Sequence, residues 1–315
     1  MSDYKNKHLE CVLKSHNIEN DTSLMKEYRK KRDEVREDLK SKFGSDIYFI
    51  IHSGSYKKLT AVNIKFDMDL VVPFKKEGAD TLKNTYESLY KYYNEDYRKK
   101  DPTLLEVKDQ KVAIGLTFHV NGKLLDLDVV PGREVNEYEK DGDLNLFVNE
   151  KMGIIGKSSY LKTNIEKQIQ NIKGNSESRD VIKLLKIWKR RNNQQAKSFA
   201  LELISIRALE AYSGKNDPWS KLKHTIEFIR DNIQTIRLVD PGNSNNVVSD
   251  ALETFQKEGI SNSMKWMLEE LGRNEKTIEQ YFPVNPEFPC EENKARTYVV
   301  SDNKRPERLN DEDFG

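Results

Sequence analysis

Up to Pro131 the apolar positions come mainly in short runs, and beyond Lys157 they recur at helical spacing. Ile47–His52 (IYFIIH) is a nearly continuous apolar run rich in β-branched and aromatic residues, the mark of a buried strand. Phe66–Pro73 (FDMDLVVP) reads as a second strand, followed by Leu104–Val107, Val112–Val120 and Lys123–Val130. Asn121-Gly122 joins the last two as a two-residue hairpin turn, whose central positions need positive φ. Thr22–Phe43 is a long charged helix, capped at Asp21 or Thr22 and stopped by Gly44. Its apolar positions (Leu24, Tyr28, Val35, Leu39) are sparse, which predicts a helix lying across the surface of both lobes. Ala79–Lys100 is a helix carrying Tyr86, Tyr90, Tyr92, Tyr93 and Tyr97, better explained by packing on the sheet than by stacking on bases.

Gly132–Lys157 is polar, with a turn at Asp141-Gly142-Asp143, and is expected to cross between the lobes. Helices are then predicted over Tyr160–Ile172, Ser178–Asn192, Lys197–Tyr212, Trp219–Gln234 and Val247–Leu271. In RDVIKLLKIWKRR, Val181, Leu184, Leu185 and Trp188 form a buried stripe, while Lys183, Lys186 and Arg190 share another face. Leu238–Val248 (LVDPGNSNNVV) reads as a loop with an Asx turn. Phe288–Gly315 is charged and proline-punctuated, the composition of a flexible tail.

The candidate chemistry lies around the second strand. Strand side chains alternate, so Asp67 and Asp69 face one way while Phe66, Met68 and Leu70 face the other. Paired carboxylates on an otherwise apolar strand are costly unless a cation neutralises them. The strand KLLDLDVVP repeats the arrangement with Asp126 and Asp128. Carboxylates converging from neighbouring strands suit Mg²⁺ or Mn²⁺, which prefer oxygen ligands. Gly54-Ser55, in a tight turn after the first strand, offers close backbone approach, a hydroxyl and the opening of a helix, all favourable to an anion. A triphosphate would sit between this turn and two metal ions.

Gly-Ser, a spacer, Asp-x-Asp, then a distant strand aspartate followed by Val-Val-Pro resembles the polymerase-β-type nucleotidyltransferases. Within them the chain resembles the cGAS/DncV-like nucleotidyltransferases (CD-NTases) and the related 2′-5′-oligoadenylate synthetases, over roughly residues 20–285. The resemblance implies an α+β, bilobed fold: a mixed-sheet catalytic lobe with an N-terminal bracing helix (1–150), a helical nucleotide-binding lobe (151–287) and a tail (288–315). It implies Asp67, Asp69 and Asp128 as the catalytic metal ligands, with Asp126 as a supporting carboxylate. Gly54 and Ser55 would hold nucleotide from the first lobe, and Lys186 and Ser198 from the second. Phe199 falls where relatives often stack a tyrosine on a base; a place in the core is nearly as good a reading of it. The implied activity is synthesis of a cyclic di- or trinucleotide from nucleoside triphosphates such as ATP and GTP, with two Mg²⁺ (or Mn²⁺) per site. The product would activate an effector protein in bacterial antiviral (CBASS) signalling. A linear oligonucleotide synthetase, an RNA-modifying nucleotidyltransferase and an inactive nucleotide sensor stay open. In some relatives the last residue of a mobile tail is joined to other proteins, chemistry that the terminal Gly315 would suit.

Composition narrows this further. The chain has 315 residues, enough for a large core, and a formal net charge of +1, which argues against coating nucleic acid nonspecifically. No obligatory nucleic-acid ligand is expected. Cys11 and Cys290 lie far apart with no CxxC, so neither a zinc site nor a disulfide is expected. His8, His16, His52, His119 and His224 are scattered and read as structural or surface residues. Without a membrane-length apolar run or a signal-peptide core, the expected state is a cytoplasmic monomer away from membranes.

Overall fold

The computed structural model describes residues 2–78, 80–149 and 160–290. From 291 onward the expected tail, Gly315 included, lies outside the described residues, as does 150–157 of the expected crossing.

Helices α1 (Ser2–Ser15) and α2 (Thr22–Phe43) open the chain. Asp21 caps α2 by accepting from the Leu24 N–H at 2.9 Å, and Gly44 ends it at φ 44°. The buried residues Met25, Tyr28, Val35 and Leu39 all enter the apolar cluster of the sheet. Helix α2 therefore buries its apolar face on the sheet. Helix α1 sends Leu9 and Val12 into the core of the helical lobe. The α1–α2 pair thus links the two cores.

The sheet begins with β1 (Ile51–Ser53), a four-residue helical turn α3 (Gly54–Lys57) and β2 (Met68–Phe74). Helix α4 (Leu82–Tyr92) runs through a π turn at Tyr93–Tyr97 into α5 (Arg98–Lys100). Tyr86, Tyr92, Tyr93 and Tyr97 are buried in the sheet cluster, as the packing reading requires. Then come β3 (Leu104–Asp109), β4 (Ile114–Val120) and β5 (Lys123–Glu134), with Asn121 at φ 50° and Gly122 at φ 78° making the predicted hairpin. A short turn of helix, α6 (Tyr138–Asp141), precedes β6 (Leu144–Phe147) and β7 (Tyr160–Thr163). Strand order is β1-β2-β5-β4-β3; β6 pairs with the far end of β5, and β7 with β6. Among the described strands only β2 and β5 run parallel, so the sheet is mixed.

Tyr160–Thr163 is thus a strand where a helix start was expected. Its pairing with β6 settles the matter, and Asn164 caps α7 (Ile165–Gly174) by accepting from the Lys167 N–H at 3.0 Å. The helical lobe continues with α8 (Arg179–Arg191), α9 (Ser198–Leu209) and α10 (Pro218–Asn232). Where a loop was read, β8 (Val239–Asp240) and β9 (Asn243–Val247) form a hairpin. A Cβ on Gly242 would lie 2.7 Å from the Asn164 carbonyl oxygen, so this hairpin rests against the start of α7. Helices α11 (Thr254–Arg273) and α12 (Ile278–Tyr281) complete the lobe. Helix α8 is its axis. Ile182 and Ile187 are buried beside the predicted stripe, and Lys186 and Lys189 are buried too.

Cys11 and Cys290 are joined in a disulfide, with their Cα atoms 5.8 Å apart. This corrects the expectation of unpaired cysteines. A separation of 279 residues hid a contact made only because the chain returns to α1 after α12. No helix among the described residues is long and apolar enough to cross a membrane.

Candidate active site

Parallel pairing of β2 with β5 sets Asp69 opposite Asp128, and antiparallel pairing of β1 with β2 sets Ser53 opposite Asp69. Asp67 stands one residue before β2 and is partly exposed; Asp69 and Asp128 are only 5% and 4% exposed. Two residues further along, Val71 and Val130 bury against Leu144 and Leu146. The face that begins with carboxylates therefore ends as a dry core, which holds the acids at the sheet's rim. Burial, then the charge of Asp67, pushes the Asp69 carboxyl up, with Lys58 and Lys186 acting the other way. Burial and the charges of Asp67 and Asp69 push Asp128 well up as well. Asp67 is raised by burial and by Asp126, against the pull of Lys65. Asp126 itself is exposed and accepts from the Thr117 hydroxyl at 2.7 Å, apart from the buried pair.

Among the described residues no three acidic, histidine or cysteine side chains close into a ready metal cage. Mg²⁺ does not demand one. It is commonly held by one or two carboxylates, with substrate phosphates and water completing the octahedron. Mutually repelling, half-sealed carboxylates fit that requirement, because a cation relieves the charge burial that raises their pKa values.

Gly54 stands directly against this pair. Its φ is 65°, and a Cβ there would lie 1.6 Å from Asp69 Oδ2, so a side chain would take the carboxylate's own place. Ser55 follows, and its carbonyl oxygen accepts from the Thr60 N–H at 3.0 Å, closing the loop that returns toward β2. The expected helix opening is only the single turn α3, so Gly54 and Ser55 offer backbone and hydroxyl rather than a long helix's field.

The second lobe contributes a buried cluster that the sequence reading only partly anticipated. Lys186 Nζ donates to Glu202 Oε1 at 2.8 Å and to Thr60 Oγ1 at 2.9 Å, and Lys58 Nζ donates to Glu202 Oε2 at 3.0 Å. Burial alone would raise the Glu202 carboxyl, but Lys186 and Lys58 outweigh it and hold it down to about 2. Lys186 is thus engaged by an anion of the protein itself. Ser198 opens α9 and accepts from Lys189 Nζ at 3.2 Å. Phe199 packs partly buried against the helical core, with Lys58 Nζ 4.8 Å from its ring centre. Lys58, Thr60 and Glu202 are not among the residues the sequence points to. A signal existed: Glu202 is a lone carboxylate inside the apolar run of α9, four residues after Ser198, where a charge needs a partner.

His52, on β1, illustrates the cost of the basic surroundings. Burial, then Arg32 and Arg36 of α2, hold its imidazole down to about 4, with Asp33 opposing and Lys57 adding. The unfolded value is about 6.5, so neutral His52 contributes stability that is present above that pH and lost as pH falls toward 4. His52→Gln should therefore show a shallower fall of Tm across this window than the parent. Parallel melting profiles would contradict it.

No protein-family model matches the sequence, and no curated protein matches it. Solved structures do. E. coli MS115-1 CdnC with ATP superposes with a TM-score of 0.69 at 20% identity, over 90% of this chain and 99% of that one. This is the polymerase-β-type nucleotidyltransferase fold. The Elizabethkingia meningoseptica CdnE cyclic dinucleotide synthase, solved with GTP and Apcpp, gives a TM-score of 0.61 at 14% identity, over 85% of this chain and 98% of that one. For the Vibrio cholerae DncV cyclic AMP-GMP synthase the values are 0.55 and 12%, over 77% of this chain and 70% of that one. E. coli CdnC is also solved as a CdnC:HORMA-deltaN complex, so these neighbours lend no support to the expected monomer.

Proposed function

We propose that this chain is a metal-dependent nucleotidyltransferase that makes a cyclic di- or trinucleotide messenger for an effector protein in bacterial anti-phage signalling. The observation that carries the reading is the register of Asp69 against Asp128, with Gly54 seated on the Asp69 carboxylate, in a chain of this fold. Asp67, Asp69 and Asp128 would hold two Mg²⁺ or Mn²⁺ ions, and the chemistry these supply is neutralisation of the phosphates and activation of the attacking hydroxyl. A ribose hydroxyl attacks the α-phosphorus, the bond to the β-phosphate breaks, and pyrophosphate leaves. Asp128 would accept the hydroxyl proton. Gly54 and Ser55 bind phosphate through the turn, while Lys186 and Ser198 approach it from the second lobe. Phe199 offers its ring to a base beside Lys58. A second turnover in the same site, now with the linear intermediate, closes the ring.

The test is incubation with each labelled nucleoside triphosphate and Mg²⁺ or Mn²⁺, followed by phosphatase, nuclease mapping and mass spectrometry. A ring has no phosphomonoester, so the purified product should survive phosphatase unchanged. A ladder of phosphatase-sensitive products would make the chain a linear oligonucleotide synthetase, and no turnover of any nucleotide would leave a sensor.

A further inference from the structure

Gln110 sits in the turn between β3 and β4, on the opposite side of Asp128 from Asp69. Its backbone is pinned from the core. The Gln110 N–H is shared between the Ala113 carbonyl oxygen and the buried Tyr86 hydroxyl, both at 3.1 Å, and that hydroxyl donates to Ala113 O at 2.8 Å. With the turn held by its main chain, the side chain is not needed to shape it. The amide reaches instead to the acid: Nε2 donates to Asp128 Oδ1 at 3.0 Å. The other end, Oε1, is buried with no protein partner among the described residues. An amide clamping two segments of structure would use both ends, so one spent on a single carboxylate oxygen asks for another explanation.

Gly115 supplies it. It lies opposite Asp128 on β4, and a Cβ there would stand 2.6 Å from Gln110 Nε2. The missing side chain is the space through which the amide reaches Asp128. We infer that Gln110 is a positioning residue for Asp128: it ties down Oδ1, leaves Oδ2 for the attacking hydroxyl and its metal, and presents Oε1 as a hydrogen-bond acceptor at the same wall. This rests on the nucleotidyltransferase reading above. A donor on one oxygen also fixes the carboxylate plane, which a ligand oxygen shared between a metal and a proton requires.

The experiment compares the full-length protein with Gln110→Ala, Gln110→Leu, Gly115→Ala and Gln110→Ala/Gly115→Ala. Gln110→Leu keeps the bulk without the donor, and Gly115→Ala displaces the amide without altering it. Gln110→Ala and Gln110→Leu should each lose about tenfold or more in kcat with little change in nucleotide KM. Gly115→Ala should reproduce most of that loss, and the double variant should be no worse than Gln110→Ala, because both changes remove one hydrogen bond. An unchanged kcat in Gln110→Ala, or losses that multiply in the double variant, would overturn the assignment. If the unaltered protein turns over no nucleotide, the nucleotidyltransferase reading fails by itself. Gln110 is then judged by titrating Mn²⁺ into the nucleotide-free proteins. Affinity weakened about tenfold in Gln110→Ala supports its hold on Asp128, and equal affinity overturns it.

Discussion

Asp69→Asn is expected to lose at least about a thousandfold in product formation, or about 4 kcal/mol of transition-state stabilisation. The same variant should be more stable than the parent without metal. Asp69 is 5% exposed, faces Asp128 across a parallel strand pair, and is raised by burial and then by Asp67. A carboxyl whose folded value lies above its unfolded value destabilises the native state as pH rises from the ordinary aspartate range toward neutrality. Asparagine keeps the shape and removes the charge. The metal-free Tm at neutral pH should therefore rise by about 1–2 °C, the equivalent of one kcal/mol in a chain of this size. Saturating Mn²⁺ should reverse the order, because only the parent keeps the full set of anionic ligands. Thermal melts with and without Mn²⁺, beside a product assay, check all three points. An active Asp69→Asn enzyme would end the two-metal proposal, and an unchanged metal-free Tm would mean that water already screens the pair.

Glu202→Ala should do the opposite, costing stability on the order of 3–5 kcal/mol and lowering Tm by roughly 5–8 °C. Glu202 is 3% exposed and satisfies Lys186 and Lys58, themselves 7% and 8% exposed. Alanine leaves two ammonium groups buried, with Thr60 still accepting from Lys186 and the Phe199 ring beside Lys58. The loss is large because it strands charges, not because the ion pair was a large net gain; a buried pair roughly balances its own desolvation. Since Lys58 and Thr60 belong to the loop after Gly54 and Glu202 belongs to α9, the cluster also sets how that loop meets the second lobe. Calorimetry or chemical denaturation measures the effect, and a loss below about 1 kcal/mol would show that the lysines find water when Glu202 is gone.

The sheet was legible where local signals agree. Asn121-Gly122 makes its hairpin because both residues tolerate positive φ, and Asp21 and Gly44 bound α2 through backbone chemistry that does not depend on distant contacts. Tyr160–Thr163 was misread because four residues of mixed character carry too little periodicity; only pairing with β6 makes them a strand. The hairpin at Val239–Val247 escaped for the same reason. The sparse apolar positions of helix α2 tell how much of it is buried but not against what; packing puts Met25, Tyr28, Val35 and Leu39 on the sheet.

For the candidate site, the sequence alone determined the carboxylates. Period-2 alternation puts Asp67 with Asp69, and Asp126 with Asp128, on one face of any strand, and the Gly54-Ser55 turn precedes them in the chain. What it left undecided is every relation across long separations. Alternation alone does not say which aspartate of the second pair meets Asp69, and only the resemblance favoured Asp128; the β2–β5 register sets Asp128 against Asp69 and leaves Asp126 exposed beside Thr117. Whether Lys186 stands free or meets Glu202 and Thr60 depends on where α8, α9 and the loop after Gly54 come together, and Gln110 reaches Asp128 only because Gly115 leaves room. Local sequence sets backbone propensity and facing, whereas hydrogen-bond partners and buried charge pairs are set by packing between segments, which no single stretch of chain encodes.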